Sequence, residues 1–282
     1  MRSSFVVVTG LFQTQNNWLS SVLAHCPELD LQALDWETFL PTPLEFPFQN
    51  TTHQPLQLKS EAFLKSLPHP PSPAKPASSW RNFYTQLKAG YESYFLKKKK
   101  PQILPLLFEP RTLLLLEWLD AEFDIEVVIL IQHPLFYLSR KEEMPDFNNF
   151  GNQPALVEHF FPLQAKRIEK LMHAQLPDFK KKTAYWQIMA DIIRHYQRHY
   201  PHWCFWRYED WLKQPLMRTQ EFSDLLELSW SQNQQEAALQ KEQPLYLVES
   251  QFKALPFEQA SYIEKQLAES IAYFYPKGKI LG

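Results

Sequence analysis

Residues 6–29, VVVTGLFQTQNNWLSSVLAHCPEL, hold the clearest provision for chemistry in the chain. A uniformly apolar run is followed by a short polar turn and then by an amphipathic stretch. In a parallel sheet that succession of strand, turn and helix aims backbone N–H groups at an anion, because the start of a helix carries partial positive charge. The turn at residues 11–17 contains no glycine, lysine or arginine. An anion docked there rests on backbone amides and on the neutral donors of Gln13, Thr14, Gln15, Asn16 and Asn17. Charge-assisted bonds to phosphate are about twice as strong as neutral ones, so this loop predicts weaker binding than a cationic one. Asn16 and Asn17 tolerate left-handed backbone and can donate amide hydrogen bonds.

Other chemistries are narrowed by what the sequence lacks. No glycine-rich turn ends in Lys-Ser/Thr, which argues against a nucleoside triphosphatase or kinase loop. The histidines show no H-x-E or H-E-x-x-H spacing, so the sequence predicts no metal. Lys97, Lys98, Lys99 and Lys100 read either as a polyanion patch or as the solvated end of a helix, where cations are favoured. Arg207, Tyr208, Glu209 and Asp210 follow an apolar run and read as an anchor of ion pairs and a buried ring, or alternatively as a cofactor contact.

These groups need a frame. Uniformly apolar or β-branched runs predict strands at 5–8, 103–108, 126–132 and 203–208, and helical spacing predicts helices from Trp18 and over 80–100, 112–123, 156–176 and 183–199. A further helix is expected from Asp210, with mostly helical chain after it. Alternating strands and helices imply an α/β fold in three layers, a central parallel sheet flanked by helices. Ligands of such sheets bind at the carboxyl ends of the strands, which places residues 9–17, 108–111, 132–140 and 207–210 on one rim. Residues 41–78 are dense in proline and polar residues and read as a surface excursion from a single domain spanning 1–282.

Composition closes off several classes. The 282 residues are 45% hydrophobic, enough for a sizeable core. Lys+Arg 29 against Asp+Glu 31 gives a net charge of -2, with no global field for nucleic acid. Cys26 and Cys204 cannot form a disulfide framework or a four-ligand metal site, and a reducing, cytoplasmic setting is expected. No apolar run approaches the ~18 residues of a membrane span. Only 5 glycines stand against 23 prolines, so loops are shaped by proline, Asn and Asp.

Several segments, in order, resemble the sulfotransferase family, whose members move a sulfuryl group from 3'-phosphoadenosine 5'-phosphosulfate (PAPS) to an alcohol or amine. NWLSSVLAHCPEL is similar to the family's helix after the 5'-phosphate loop. FEPRTLLLLEWLDAEFDIEVVILIQHPLFYLSR resembles the lysine-acid-proline segment, its helix, and the strand leading to the 3'-phosphate site. AYWQIMADIIRHYQRHYPHWCFWRYEDWLKQP is similar to the family's later helix and Arg-Tyr-Glu-Asp element. The resemblance implies a P-loop NTPase-like sulfotransferase fold with PAPS as donor and no metal. It also implies an acceptor on a small molecule, glycan or peptide.

Carried over residue by residue, Gln13 takes the family's basic position, Thr14 its serine, Gln15 its glycine, and Asn16 and Asn17 its threonines, with Trp18 opening the helix. Gln132 stands in for the usual arginine at the 3'-phosphate. Ser139 is displaced by one position from the family's serine, whose place Arg140 takes. Arg140 either replaces the missing charge or lies exposed near Glu142 and Glu143. Glu37, with Asp35 behind it, resembles the family's catalytic base, the alternative being a loop carboxylate facing water. Phe108 replaces the lysine that neutralises the leaving phosphate, and Arg111 is the neighbouring candidate for that role. His133 is either a base or a structural group, and Trp186 is core or lies near the adenine. Two functions follow from this pattern, a PAPS-dependent sulfotransferase with altered phosphate contacts or a catalytically inactive protein that uses the fold for binding.

Overall fold

The computed structural model describes residues 5–11, 18–32, 103–139, 157, 159–161, 168, 175–242 and 255–276. Five strands form one sheet: β1 (Phe5–Leu11), β2 (Leu29–Gln32), β3 (Leu104–Phe108), β4 (Ile125–Ile131) and β5 (Cys204–Arg207). Their order is β2-β3-β1-β4-β5, and every pairing is parallel. The central strands are continuous apolar runs because both faces of the sheet are covered. All seven residues of β1 and all five of β3 are buried.

Alternation along each strand divides the core into two layers. Val6 and Val8 of β1, Leu104, Leu106 and Phe108 of β3, and Val128 and Leu130 of β4 face one layer. Phe5 and Val7, Leu107, and Val127, Ile129 and Ile131 face the other. The first layer is closed by α1 (Trp18–Leu23) and by helices following β5: α5 (Tyr208–Lys213), α6 (Pro215–Leu225) and α7 (Gln232–Lys241). The second is closed by a 3-10 turn (Pro110–Leu115), α2 (Leu116–Glu122), α3 (Pro134–Leu138), α4 (Asp178–His199) and α8 (Phe257–Phe274).

Handedness explains this division. The connection from β1 runs outward past β3 to the edge strand β2, whereas those from β3 and β4 run the opposite way. Right-handed crossovers of opposite direction place their helices on opposite faces, which puts α1 on one side and α2 and α4 on the other. The α/β architecture expected from the sequence is therefore the one observed.

Local differences have physical reasons. The helix expected over 112–123 begins as the 3-10 turn, which Tyr196 anchors by donating its O–H to the Leu113 carbonyl at 2.9 Å. Helix α4 starts at Asp178 rather than at 183, with Pro177 at its N-cap and an acidic first turn. Strand β2 was not anticipated. The expected helix over 80–100, the four lysines and the excursion at 41–78 lie outside the described residues.

Candidate functional site

Strand order creates a crevice at the carboxyl ends of β1 and β4. These neighbours send their following chain in opposite directions and to opposite faces, the switch point at which doubly wound sheets bind ligands. Gln132 closes the crevice floor, its N–H donating to the Leu11 carbonyl at 2.9 Å. Gly10, one residue earlier, has φ 132. A Cβ there would overlap the backbone carbonyl oxygen of Leu130, so glycine alone lets β1 and β4 approach at this point. Across β1 the rim is tied to the 3-10 turn by Thr9, whose hydroxyl donates to the Pro110 carbonyl at 3.0 Å.

The four residues after Ile131 are held from several sides. The Gln132 carbonyl accepts the indole N–H of Trp186 at 3.1 Å, which fixes α4 against the rim. Trp186 is fully buried, the core role among its two alternatives. The Gln132 side chain is itself buried, and its Oε1 has no hydrogen-bond partner among the described residues. His133 donates its backbone N–H to Glu209 Oε1 at 2.7 Å, and its Nδ1 accepts the Leu135 N–H at 3.3 Å, capping α3. Burial depresses the His133 imidazole to about 3, so the ring is neutral near pH 7. At the far end of α3, the Ser139 hydroxyl donates to the Phe136 carbonyl at 2.8 Å.

Glu209 is the least expected member of the rim. It is a buried carboxyl at the start of α5, and besides the His133 amide it meets the Tyr275 hydroxyl at 2.8 Å. Tyr275 also lies 3.1 Å from the Ile131 carbonyl. A phenol has one proton to give, and here two acceptors face it. Both contacts are satisfied when Tyr275 donates to Ile131 and a protonated Glu209 donates to Tyr275. Burial accordingly raises the Glu209 carboxyl to about 7, against the opposing effect of its hydrogen bonds. Arg207 pairs with Asp210 through Nε and Nη2 to Oδ2, both at 2.8 Å, and stacks over the Tyr275 ring. Tyr208 is buried. The anchoring role of the Arg-Tyr-Glu-Asp element is thus visible in its contacts.

The sequence-derived candidates distribute unevenly over this geometry. Gln132 and His133 join β4 to α3, and Ser139 caps the far end of α3. Trp18 opens α1, largely buried, with its indole N–H lacking a hydrogen-bond partner among the described residues. Arg111 belongs to the 3-10 turn beside the rim, and its side chain is outside the described set. Gln13, Thr14, Gln15, Asn16, Asn17, Glu37 and Arg140 lie outside the described residues. Tyr275 was missed, because a tyrosine after a terminal helix carries no local signal of a partner 66 residues away.

No family model and no curated protein matches the sequence. Among solved structures, the fold is similar to a sulfotransferase, STF9, from Mycobacterium avium, with a TM-score of 0.51 and 13% identity over 98% of this chain and 78% of that one. A sulfotransferase from Alicyclobacillus acidocaldarius gives a TM-score of 0.47 at 12% identity over 98% and 95% of the two chains. A retinol dehydratase in complex with androsterone and the inactive cofactor PAP gives 0.38 at 13% identity over 100% and 83%. With its five parallel strands, its switch point between β1 and β4 and this likeness, the chain has the sulfotransferase fold.

Proposed function

We propose that the protein is a PAPS-dependent sulfotransferase with altered phosphate contacts, its 5'-phosphate loop carrying neutral rather than cationic side chains. What supports this reading is the switch point between the carboxyl ends of β1 and β4, which the segment 132–139 directly follows. The buried Oε1 of Gln132, without a hydrogen-bond partner among the described residues, is an acceptor of the kind that a ribose hydroxyl or an adenine amine satisfies.

In this reading the donor supplies an activated sulfuryl group. The acceptor oxygen or nitrogen forms a bond to sulfur as the bond from sulfur to the 5'-phosphate oxygen breaks, and 3'-phosphoadenosine 5'-phosphate (PAP) leaves. Glu37 takes the acceptor's proton, and Arg111 offsets charge on the leaving oxygen. Backbone amides of the 12–17 loop, with Gln13, Thr14, Gln15, Asn16 and Asn17, receive the 5'-phosphate. Ser139 and Arg140 serve the 3'-phosphate. His133, neutral and engaged in capping, positions the segment rather than exchanging protons.

A second reading, a catalytically inactive binding protein on this fold, is favoured by one observation. Among the described rim side chains the cation is Arg207, and it is already paired with Asp210. Calorimetric titration of the full chain with PAP tests both readings for nucleotide binding, and transfer of labelled sulfate from PAPS to a panel of phenols, amines and glycans separates them. The enzyme reading expects PAP binding, and transfer that Glu37→Gln abolishes while PAP affinity stays within about threefold. Absence of heat and of thermal shift at millimolar PAP removes it.

A further inference from the structure

Away from the rim, three side chains from three segments meet. Glu117 lies in the first turn of α2, His159 in the segment 159–161, and His195 near the end of α4. His159 Nε2 is 2.8 Å from Glu117 Oε2, and His195 Nε2 is 3.4 Å from Glu117 Oε1. One ligand atom from each residue lies within 4.8 Å of the others. We infer that Glu117, His159 and His195 form a binding site for a divalent transition-metal ion, zinc by their chemistry.

The donor set fits. Two imidazoles and one carboxylate are borderline ligands suited to zinc, which binds nitrogen and oxygen at about 2.0–2.2 Å. A tetrahedral ion with such bonds holds its ligand atoms about 3.3 Å apart. The imidazoles lie 2.8 and 3.4 Å from the two oxygens of one carboxylate, and one ligand atom from each residue lies within 4.8 Å of the others, so side-chain rotations bring all three onto one ion, and water completes the fourth position.

The site is built to hold its shape. The Phe160 ring meets the His159 ring edge to face at 4.6 Å and the His195 ring at 5.3 Å, orienting both imidazoles. His199 stacks on His195 at 4.1 Å from the outer side, with its Nδ1 bonded to the His195 carbonyl. The Glu117 side chain is 4% exposed while the histidines are 20% and 27% exposed, so the carboxylate is anchored inside and the imidazoles leave a path for an ion. Among the described residues, no lysine or arginine pairs with Glu117, so a bound cation would supply the charge that its burial calls for.

The placement separates this site from the nucleotide crevice. Trp186 of α4 marks the rim, and His195 is nine residues further along the helix, about 13 Å at ~1.5 Å per residue. An ion there clamps α2, α4 and the segment carrying His159 against one another. The sequence-based expectation of no metal rested on short-range spacing, and these ligands are 42 and 36 residues apart.

Equilibrium dialysis of the tag-free full chain against zinc tests the inference. One equivalent should bind, raise the melting temperature, and lose at least about tenfold in affinity in His195→Gln and in Glu117→Gln. As a measurement on the unaltered protein, diethyl pyrocarbonate labelling mapped by mass spectrometry should show His195 and His159 protected by zinc. Substitution by cobalt should give the visible bands of a four-coordinate ion. No bound equivalent at 100 μM zinc (on the order of a weak structural site), or labelling of both histidines unchanged by zinc, overturns the proposal. PAP titration is unaffected by either outcome.

Discussion

Glu209→Gln is the sharpest probe of how the rim is held. In the native structure the carboxyl accepts the His133 N–H and shares the Tyr275 hydroxyl with the Ile131 carbonyl. Glutamine reproduces the protonated form, with its oxygen accepting from His133 and its amide donating to Tyr275. Below the unfolded carboxyl value of 4.5 both states of the wild type are protonated at this position, and the native bonds are fully present. As pH rises, the unfolded chain releases the proton first, while the native carboxyl holds it until about 7. A raised native carboxyl therefore contributes stability that is lost as pH rises from about 4.5 through about 7. At ~1.4 kcal/mol per pH unit the loss is bounded at about 3–4 kcal/mol.

The assay is urea unfolding of wild type and variant at pH 5 and pH 8. His133 works against Glu209 over part of the range, since its depressed value costs stability as pH falls below 6.5 toward 3. The difference between the two proteins cancels that contribution and isolates Glu209. We expect Glu209→Gln to match wild type within about 1 kcal/mol at pH 5 and to exceed it by about 1–3 kcal/mol at pH 8. Glu209→Leu, which leaves the His133 amide without an acceptor, should lose about 1–3 kcal/mol even at pH 5. Parallel curves for wild type and Glu209→Gln across this range would refute the argument that burial keeps the carboxyl protonated up to about 7.

Gly10→Ala should abolish soluble expression or cost more than about 3 kcal/mol, read by fractionation and thermal melting, because its Cβ overlaps the Leu130 carbonyl where φ is 132. Trp186→Phe should cost about 2–4 kcal/mol in urea unfolding, through the vacated indole volume and the Gln132 carbonyl left without its donor. On the proposed function, PAP affinity should weaken as pH rises past about 7, where Glu209 ionises. A unit charge about 10 Å from a phosphate costs roughly 1–2 kcal/mol at an effective dielectric of ~20, about five- to thirtyfold in Kd. Glu209→Gln should flatten that profile, and an unchanged pH dependence counts against any electrostatic link between Glu209 and the nucleotide.

The sequence discloses what local pattern controls. Strands β1, β3 and β4 are legible because burial on both faces makes them mostly Val, Ile, Leu and Phe, interrupted only by Thr9 and Gly10, by Pro105 and by Glu126. Strand β2 escapes for the converse reason. It is four residues, LDLQ, at the sheet edge, and Leu31 is 37% exposed, so it has neither the length nor the uniform apolarity to stand out. The rim segments followed from strand order alone, since parallel strands put their following residues on one side. Partners across long separations did not follow. Nothing near Glu209 announces that its carboxyl is buried under a tyrosine from beyond α8, and nothing near Glu117 announces two histidines from elsewhere in the chain.

That unseen layer bears on whether a loop without cations can serve a nucleotide that carries two phosphates. Two strategies lower the free energy of a bound anion, adding positive charge or withholding negative charge. The rim takes the first only weakly, because its described cation, Arg207, is committed to Asp210. It takes the second through Glu209, whose proton is retained up to about 7, and through Asp210, whose charge is answered by Arg207 and Arg218. Glu209 and Asp210 are thereby neutral or paired at the moment a phosphate would arrive. Backbone amides then meet the anion without an opposing local charge, and neutral hydrogen bonds gain strength as the surrounding dielectric falls. On that physics the absence of lysine and arginine from residues 11–17 is compatible with a working anion site, provided that Glu209 keeps its proton.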